Sequence, residues 1–116
     1  MGTLYIDNNG NICYDPGMRV ITRSILKKFY EMPNYGESKE SLEAWYHEAK
    51  RASWNSSANI NARYGSASIL KHNRVVFNIC GNKYRLVVKI NYEAQVAYIR
   101  FVGTHKEYDK INAEEI

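Results

Sequence analysis

Three runs in the second half of the chain alternate hydrophobic and polar positions with the period of a β-strand: RVVFNI (74–79), YRLVVKI (84–90) and VAYIRFV (96–102). Because successive strand side chains point to opposite sides, Val75, Phe77, Ile79, Leu86, Val88, Ile90, Ala97, Ile99 and Phe101 are expected on one face. Arg74, Val76, Asn78, Arg85, Val87, Lys89, Tyr98 and Arg100 fall on the other. Turn signals at Gly81-Asn82 and between Tyr92 and Gln95 make these strands an antiparallel meander. Upstream the period changes. Leu42, Trp45, Tyr46, Ala49 and Ser53 recur at helical spacing after a capping Ser38, with Glu43, Glu48, Lys50 and Arg51 mostly opposite.

A shorter helix is predicted through Ile25, Leu26 and Phe29, capped by Thr22 or Ser24 and stopped at Met32-Pro33. MRVI (18–21) reads as a strand and SANINARYG (57–65) as a turn of helix ending at Gly65. Thr104 and Glu107 form a capping box that starts a last short helix. The pattern predicts an α+β fold in which two N-terminal helices cover the apolar face of an antiparallel sheet, leaving the cationic face open. Residues 1–17 read as a separate extension before the main domain of residues 18–116, because apolar positions flank an Asn8-Asn9-Gly10 turn and Asp15-Pro16-Gly17 makes a break. Such a hairpin is too small to bury Leu4, Ile6, Ile12 and Tyr14 by itself, so these should rest on the domain or on a partner.

The chain has 116 residues, 45% hydrophobic and 24% charged, which suits one globular domain with one core. It contains no run of the roughly 20 apolar residues that span a bilayer and no basic-then-apolar leader, so a cytoplasmic protein without a membrane partner is expected. Cys13 and Cys80 match no metal spacing and read as reduced thiols. The formal charge is only +4, but Lys71 to Lys110 hold eight Lys or Arg against three acids. That concentration calls for a polyanionic partner, with RNA, DNA and an acidic protein all permitted, and a solvated face as the plainer alternative.

The chemistry such a face can hold is RNA cleavage. RNA carries its own 2′-OH nucleophile, so the protein need add only a base, an acid and cations around the phosphorane, with no metal or cofactor. Arg85, central in the sheet, is the best phosphate clamp because guanidinium donates two parallel hydrogen bonds. His105 and Tyr108, three residues apart on one side of the last helix, can form an acid–base pair. Lys83, Lys89, Arg100, Lys106, Arg74 and Asn78 are the candidate RNA contacts. Read alone, His105 is more often a solvated residue, Tyr108 a packing residue, and Arg100 a salt-bridge partner of Glu107 or Asp109. His47 and His72 read as surface residues.

From Met18 onward the chain resembles the HigB toxins of bacterial type II toxin–antitoxin systems, in the RelE-like group. The segments that carry this are AWYHEAKRASW, ANINARYGSASIL, NRVVFNICGNKYRLVVKI and YIRFVGTHKEYD, above all Gly81-Asn82 with Arg85, Ile99-Arg100, and Thr104 to Asp109. The resemblance implies a RelE-like fold and a ribosome-dependent endoribonuclease that cuts translated mRNA. It also implies silencing by a HigA-type helix-turn-helix antitoxin, and contact with operator DNA only through that complex, as co-repressor. The segment before Met18 is outside the resemblance. ParE-type toxins share the fold and poison gyrase without cutting, but would have no use for Arg85, His105 and Tyr108 on an open face. A non-catalytic RNA- or ribosome-binding module would need only the cations.

Overall fold

The structure is a computed structural model that describes residues 3–6, 8–15 and 17–116. Strands β1 (Thr3–Ile6) and β2 (Ile12–Asp15) pair antiparallel as a two-stranded sheet of their own. The turn between them has Gly10 at φ +82°, where the missing Cβ removes the steric cost. Then come β3 (Arg19–Ile21), α1 (Ser24–Tyr30), a 3-10 turn (Gly36–Ser38), α2 (Lys39–Arg51), α3 (Ser57–Arg63), β4 (Ser68–Ile69), β5 (Arg74–Ile79), β6 (Tyr84–Asn91), β7 (Val96–Thr104) and α4 (His105–Tyr108).

The main sheet has the order β3-β7-β6-β5-β4. The meander β4 to β7 is antiparallel, but β3 lies parallel to β7, so the sheet is mixed rather than wholly antiparallel as expected. The reason is the connection. β3 pairs with the last strand after the helices have crossed over, which allows the same direction as β7, whereas the short turns of the meander force reversal. The architecture is α+β.

On one face of the sheet α1, α2 and α3 bury a single core. Phe77 is its hub, ringed by Trp45, Trp54 and Tyr64 at centroid distances of 5.4, 6.0 and 5.1 Å, and Leu42, Ile60, Leu86, Val88, Ile90, Ala97 and Ile99 fill the space around them. Of the helical stripe read from the sequence, Leu42, Trp45 and Ala49 are core and Tyr46 packs against it half-buried, while Ser53 is exposed beyond the end of α2. Ser38 does not cap α2. Its hydroxyl, fully buried, donates instead to the Tyr35 carbonyl at 2.6 Å, because a 3-10 turn leads into the helix and leaves Ser38 in helical dihedrals. Likewise α1 begins after Arg23 without a side-chain cap. The two helices are tied by Glu43, which accepts from Arg23 Nη2 at 2.8 Å and from the Tyr30 hydroxyl at 2.6 Å.

The junction after the hairpin is tight. Gly17 is buried at φ +61° with its Cα against the end of α2, where a Cβ would lie 1.8 Å from the Lys50 carbonyl oxygen, and Met18 beside it is fully buried. Ile6 and Ile12 are 71% and 77% exposed, so of the two supports expected, the domain or a partner, the domain is not the one they rest on. They face each other across the hairpin instead. The side chains of Leu4, Tyr14 and Cys13 lie outside the described residues. Cys80 is a free thiol. No helix among the described residues is long and apolar enough to cross a membrane.

The Tyr30 hydroxyl, and after it Arg23, hold the Glu43 carboxyl below its ordinary pKa. A group depressed in this way stabilises the fold above its unfolded pKa, and that contribution is lost as pH falls through the folded one. Glu43→Gln should therefore lower the urea midpoint at neutral pH, and the gap to the parent should close on acidification below about 4.3, the ordinary glutamate value. A gap that does not change with pH would refute the assignment.

Candidate functional site

The outer face of the sheet is where the sequence placed the chemistry, and it is less open than expected. The register between β6 and β7 shifts at Val87/Val88: Val88 pairs with Ile99 but Val87 pairs with Phe101, leaving Arg100 as the extra residue. A bulge of one residue exchanges the two faces beyond it. Phe101, expected in the main core, thus turns outward. There it joins Val76 and Val87 in a second apolar cluster closed by Ala113, with Leu70, Tyr108, Ile111 and Ile116 packed around them. Residues 108–116 therefore cross the middle of the outer face as a strap. The apolar positions Ile111, Ala113 and Ile116 were the signal for it in the sequence.

Arg74 fastens this strap. It is 8% exposed, its Nε and Nη2 donate to the Ile116 carbonyl at 3.0 and 2.6 Å, and its Nη1 donates to the His72 carbonyl at 2.7 Å. Three of its five N–H donors are on these carbonyls and the side chain is buried, so in this structure Arg74 clamps the strap rather than standing open to RNA as expected. Around it, Lys71 N–H donates to Glu114 Oε2 at 3.2 Å and the His72 ring meets the Glu114 carbonyl at 3.3 Å. Asn78 is also occupied elsewhere. Its amide donates to the Ser66 carbonyl at 3.0 Å, beside a cleft of about 250 Å³ between the sheet and the α2 and α3 side chains.

At one end of the strap stand Arg85 and His105. Arg85 Nη1 donates to the carbonyls of Asn82 at 2.9 Å and Tyr84 at 3.3 Å, and its Nη2 contacts Nε2 of His105. A guanidinium only donates, so the contact needs an unprotonated Nε2 with the ring hydrogen on Nδ1. The partner of Arg85 in β7 is Gly103. A Cβ there would come within 2.6 Å of the Phe101 ring and 3.0 Å of Glu107 Oε1, so glycine lets the strand turn tightly into α4. The predicted capping box is present. Thr104 N–H donates to Glu107 Oε1 at 2.8 Å, and Glu107 N–H donates to Thr104 Oγ1 at 3.3 Å. Glu107 is thus taken up by the cap, which fixes the turn that presents His105 and Lys106 to solvent, while Tyr108 is half-buried against the second cluster.

The other cations are distributed. Lys83 pairs with Glu37 at 3.1 Å, and the adjacent Tyr84 hydroxyl donates to the same carboxylate at 2.7 Å, which pushes its pKa up to about 12. Lys89 and Arg100 lie at the far end of the strap, in a basin of about 450 Å³ with Asn73, Asn91 and Tyr98. Lys89 is four residues from Arg85 on the same side of β6, so the two ends are roughly 13 Å apart at about 3.3 Å per residue. Among the described residues no group of three metal-ligating side chains comes together. The sequence reading did not anticipate the direct Arg85–His105 contact or the basin; the bulge that separates them has no composition signal.

The family model of HigB toxins, described as the RelE-like toxic component of a toxin–antitoxin system, matches residues 38–111. The chain is 34% identical over 98 residues to the mRNA interferase toxin HigB of Escherichia coli K12, covering 83% of this chain and 92% of that protein. The same figures hold for the mRNA interferase HigB of Escherichia coli O157:H7 and of Shigella flexneri.

Arg74→Ala should release the strap and leave the Ile116 and His72 carbonyls without their charged donor, a loss of about 2–3 kcal/mol. Urea unfolding measures it. An Arg74→Ala protein as stable as the parent would show that the clamp is unimportant.

Proposed function

This chain belongs to the HigB toxins, the RelE-like toxic components of toxin–antitoxin systems, and from that premise we propose how its outer face cuts RNA. It is a toxin that acts as an endoribonuclease of the mRNA interferase kind, with mRNA as substrate and an antitoxin as its partner. In our reading it acts in the cytoplasm on mRNA held in the ribosome. It is silenced by a HigA-type helix-turn-helix antitoxin, and reaches operator DNA only as co-repressor within that complex. Residues 18–116 form the toxin domain and residues 1–17 are an accessory extension, a division supported by β1 and β2 pairing only with each other.

The observation that carries the mechanism is the exposed contact between Arg85 and His105. Cleavage joins the 2′-oxygen to the phosphorus while the 5′-oxygen leaves, through a phosphorane that gains negative charge. A guanidinium beside that phosphate stabilises the gain. His105 and Tyr108 serve as the proton-transferring pair, one taking the 2′-OH proton and the other supplying the 5′-oxygen, since both stand on the same side of a one-turn helix. Lys106, exposed on that turn, and Lys83 in the β5–β6 turn steer the backbone, with Lys83 exchanging Glu37 for phosphate. No step calls for a metal, because the nucleophile belongs to the substrate.

Two tests follow from these roles. Arg85→Ala should abolish growth arrest on induction while leaving the fold and antitoxin binding intact; continued toxicity at equal expression refutes the clamp. His105→Gln and Tyr108→Phe should each slow cutting on programmed ribosomes by about 10²-fold or more with little change in ribosome binding, because they remove a proton carrier but keep its shape. Equal losses in both would make them contact residues. Mapping new mRNA 5′ ends with translation running and blocked tests the ribosome requirement, which in-frame cuts only on translated messages would support.

A further inference from the structure

The basin at the far end of the strap is a built site that the cleavage mechanism leaves unused. Its volume of about 450 Å³ lies in the range of small-ligand pockets, and its walls are Asn73, Lys89, Ile90, Asn91, Tyr98 and Arg100. Lys89 and Tyr98 are directly opposite each other in the β6–β7 ladder, and Arg100 is the bulged residue beside them, the position whose side chain a bulge re-aims. Both cations are exposed, and neither is paired with a carboxylate among the described residues. No acidic side chain lines the basin. Asn91 Oδ1 accepts from the Ala94 N–H at 2.9 Å, which leaves its amide hydrogens as donors. Tyr98 is half-exposed, and it stacks on no aromatic side chain and under no cation among the described residues.

We propose that this basin is a second nucleotide subsite, holding another nucleotide of the RNA strand that is cut at Arg85 and His105. Its phosphate sits on Lys89 and Arg100, its base stacks on Tyr98, and the Asn91 amide donates to an acceptor on the base edge. The assignment rests on the RNA-cleaving reading. It follows from the sheet itself: the two ends of the outer face are roughly 13 Å apart, and the strap between them forces a single strand to cross Tyr108 on the way. Two cations with an unstacked ring are the elements by which single-stranded nucleic acid is held, the cations tracking the backbone and the ring accepting any base. An acidic protein would be served by the cations alone and would have no use for a bare ring aligned with them.

The test measures binding and cutting separately. A short fluorescent single-stranded RNA with 2′-O-methyl groups, which cannot be cut, is titrated by anisotropy against the purified full chain, while unmodified mRNA is cut on programmed ribosomes. Tyr98→Ala should weaken binding by about tenfold, and Tyr98→Phe, which keeps the ring, should restore it. Lys89→Ala and Arg100→Ala should weaken binding and each reduce the slope of log affinity against log salt by roughly 0.7. In the ribosomal assay the variants should raise the concentration needed for half-maximal cutting without lowering the saturating rate, and should flatten any base preference beside the cut. Parental affinity in all three variants overturns the proposal, and so does a fall in saturating rate alone. So does parental RNA affinity combined with lost antitoxin binding, which would make the basin a protein contact. RNA binding that depends on Tyr98 without any cutting by the parent protein would instead overturn the nuclease reading and keep the subsite.

Discussion

The one-residue bulge at Arg100 is the constraint from which the working side of the molecule follows. Up to Ile99, β7 contributes alternate residues to the core under the helices. One extra residue then exchanges the faces, so that Phe101 points away from the core and Gly103 comes opposite Arg85. Without the shift Phe101 would compete for space around Phe77, and the outer face would have no apolar centre on which residues 108–116 could settle. The bulge therefore creates the second cluster, and the second cluster holds the segment that includes Tyr108.

Charge and packing are consequently divided in a way that net charge alone conceals. Of the six residues expected to bind RNA beside the three expected to be catalytic, Arg74 clamps the strap and Asn78 holds the loop before β4. Lys89 and Arg100 share a basin, Lys83 shares Glu37 with Tyr84, and Lys106 alone stands on the turn with His105. A buried arginine clamping a strap and a half-buried one touching an imidazole have the same letter in the sequence, but differ in availability.

The strand and helix pattern was legible because it is set by local periodicity. The meander, the stripe of Leu42, Trp45 and Ala49, the short helix after Ser56 and the box of Thr104 with Glu107 all occur as read. Pairings between distant segments were not legible. The parallel placement of β3 beside β7 depends on a crossover, the bulge on the fit between strands, and the Arg74 clamp on a partner 42 residues away. Ser38 shows a smaller failure of the same kind, since a residue type that favours caps can be diverted when the preceding turn tightens into 3-10 geometry. Arg85 as phosphate clamp and His105 with Tyr108 as proton-transferring pair were expected from residue chemistry and family likeness together; the contact between Arg85 and His105 was not, because it requires the turn that Gly103 permits.

The strap also sets when the molecule becomes dangerous. The residues of the strap, from Tyr108 to Ile116, come after the last strand in the chain, and its anchors Val76, Val87 and Arg74 lie far earlier. A chain made from its N-terminus can assemble the helices and most of the sheet while these residues are still being added. Until they are out and docked, Phe101 remains uncovered. A toxin that cuts mRNA thus stays incomplete until these residues have been made.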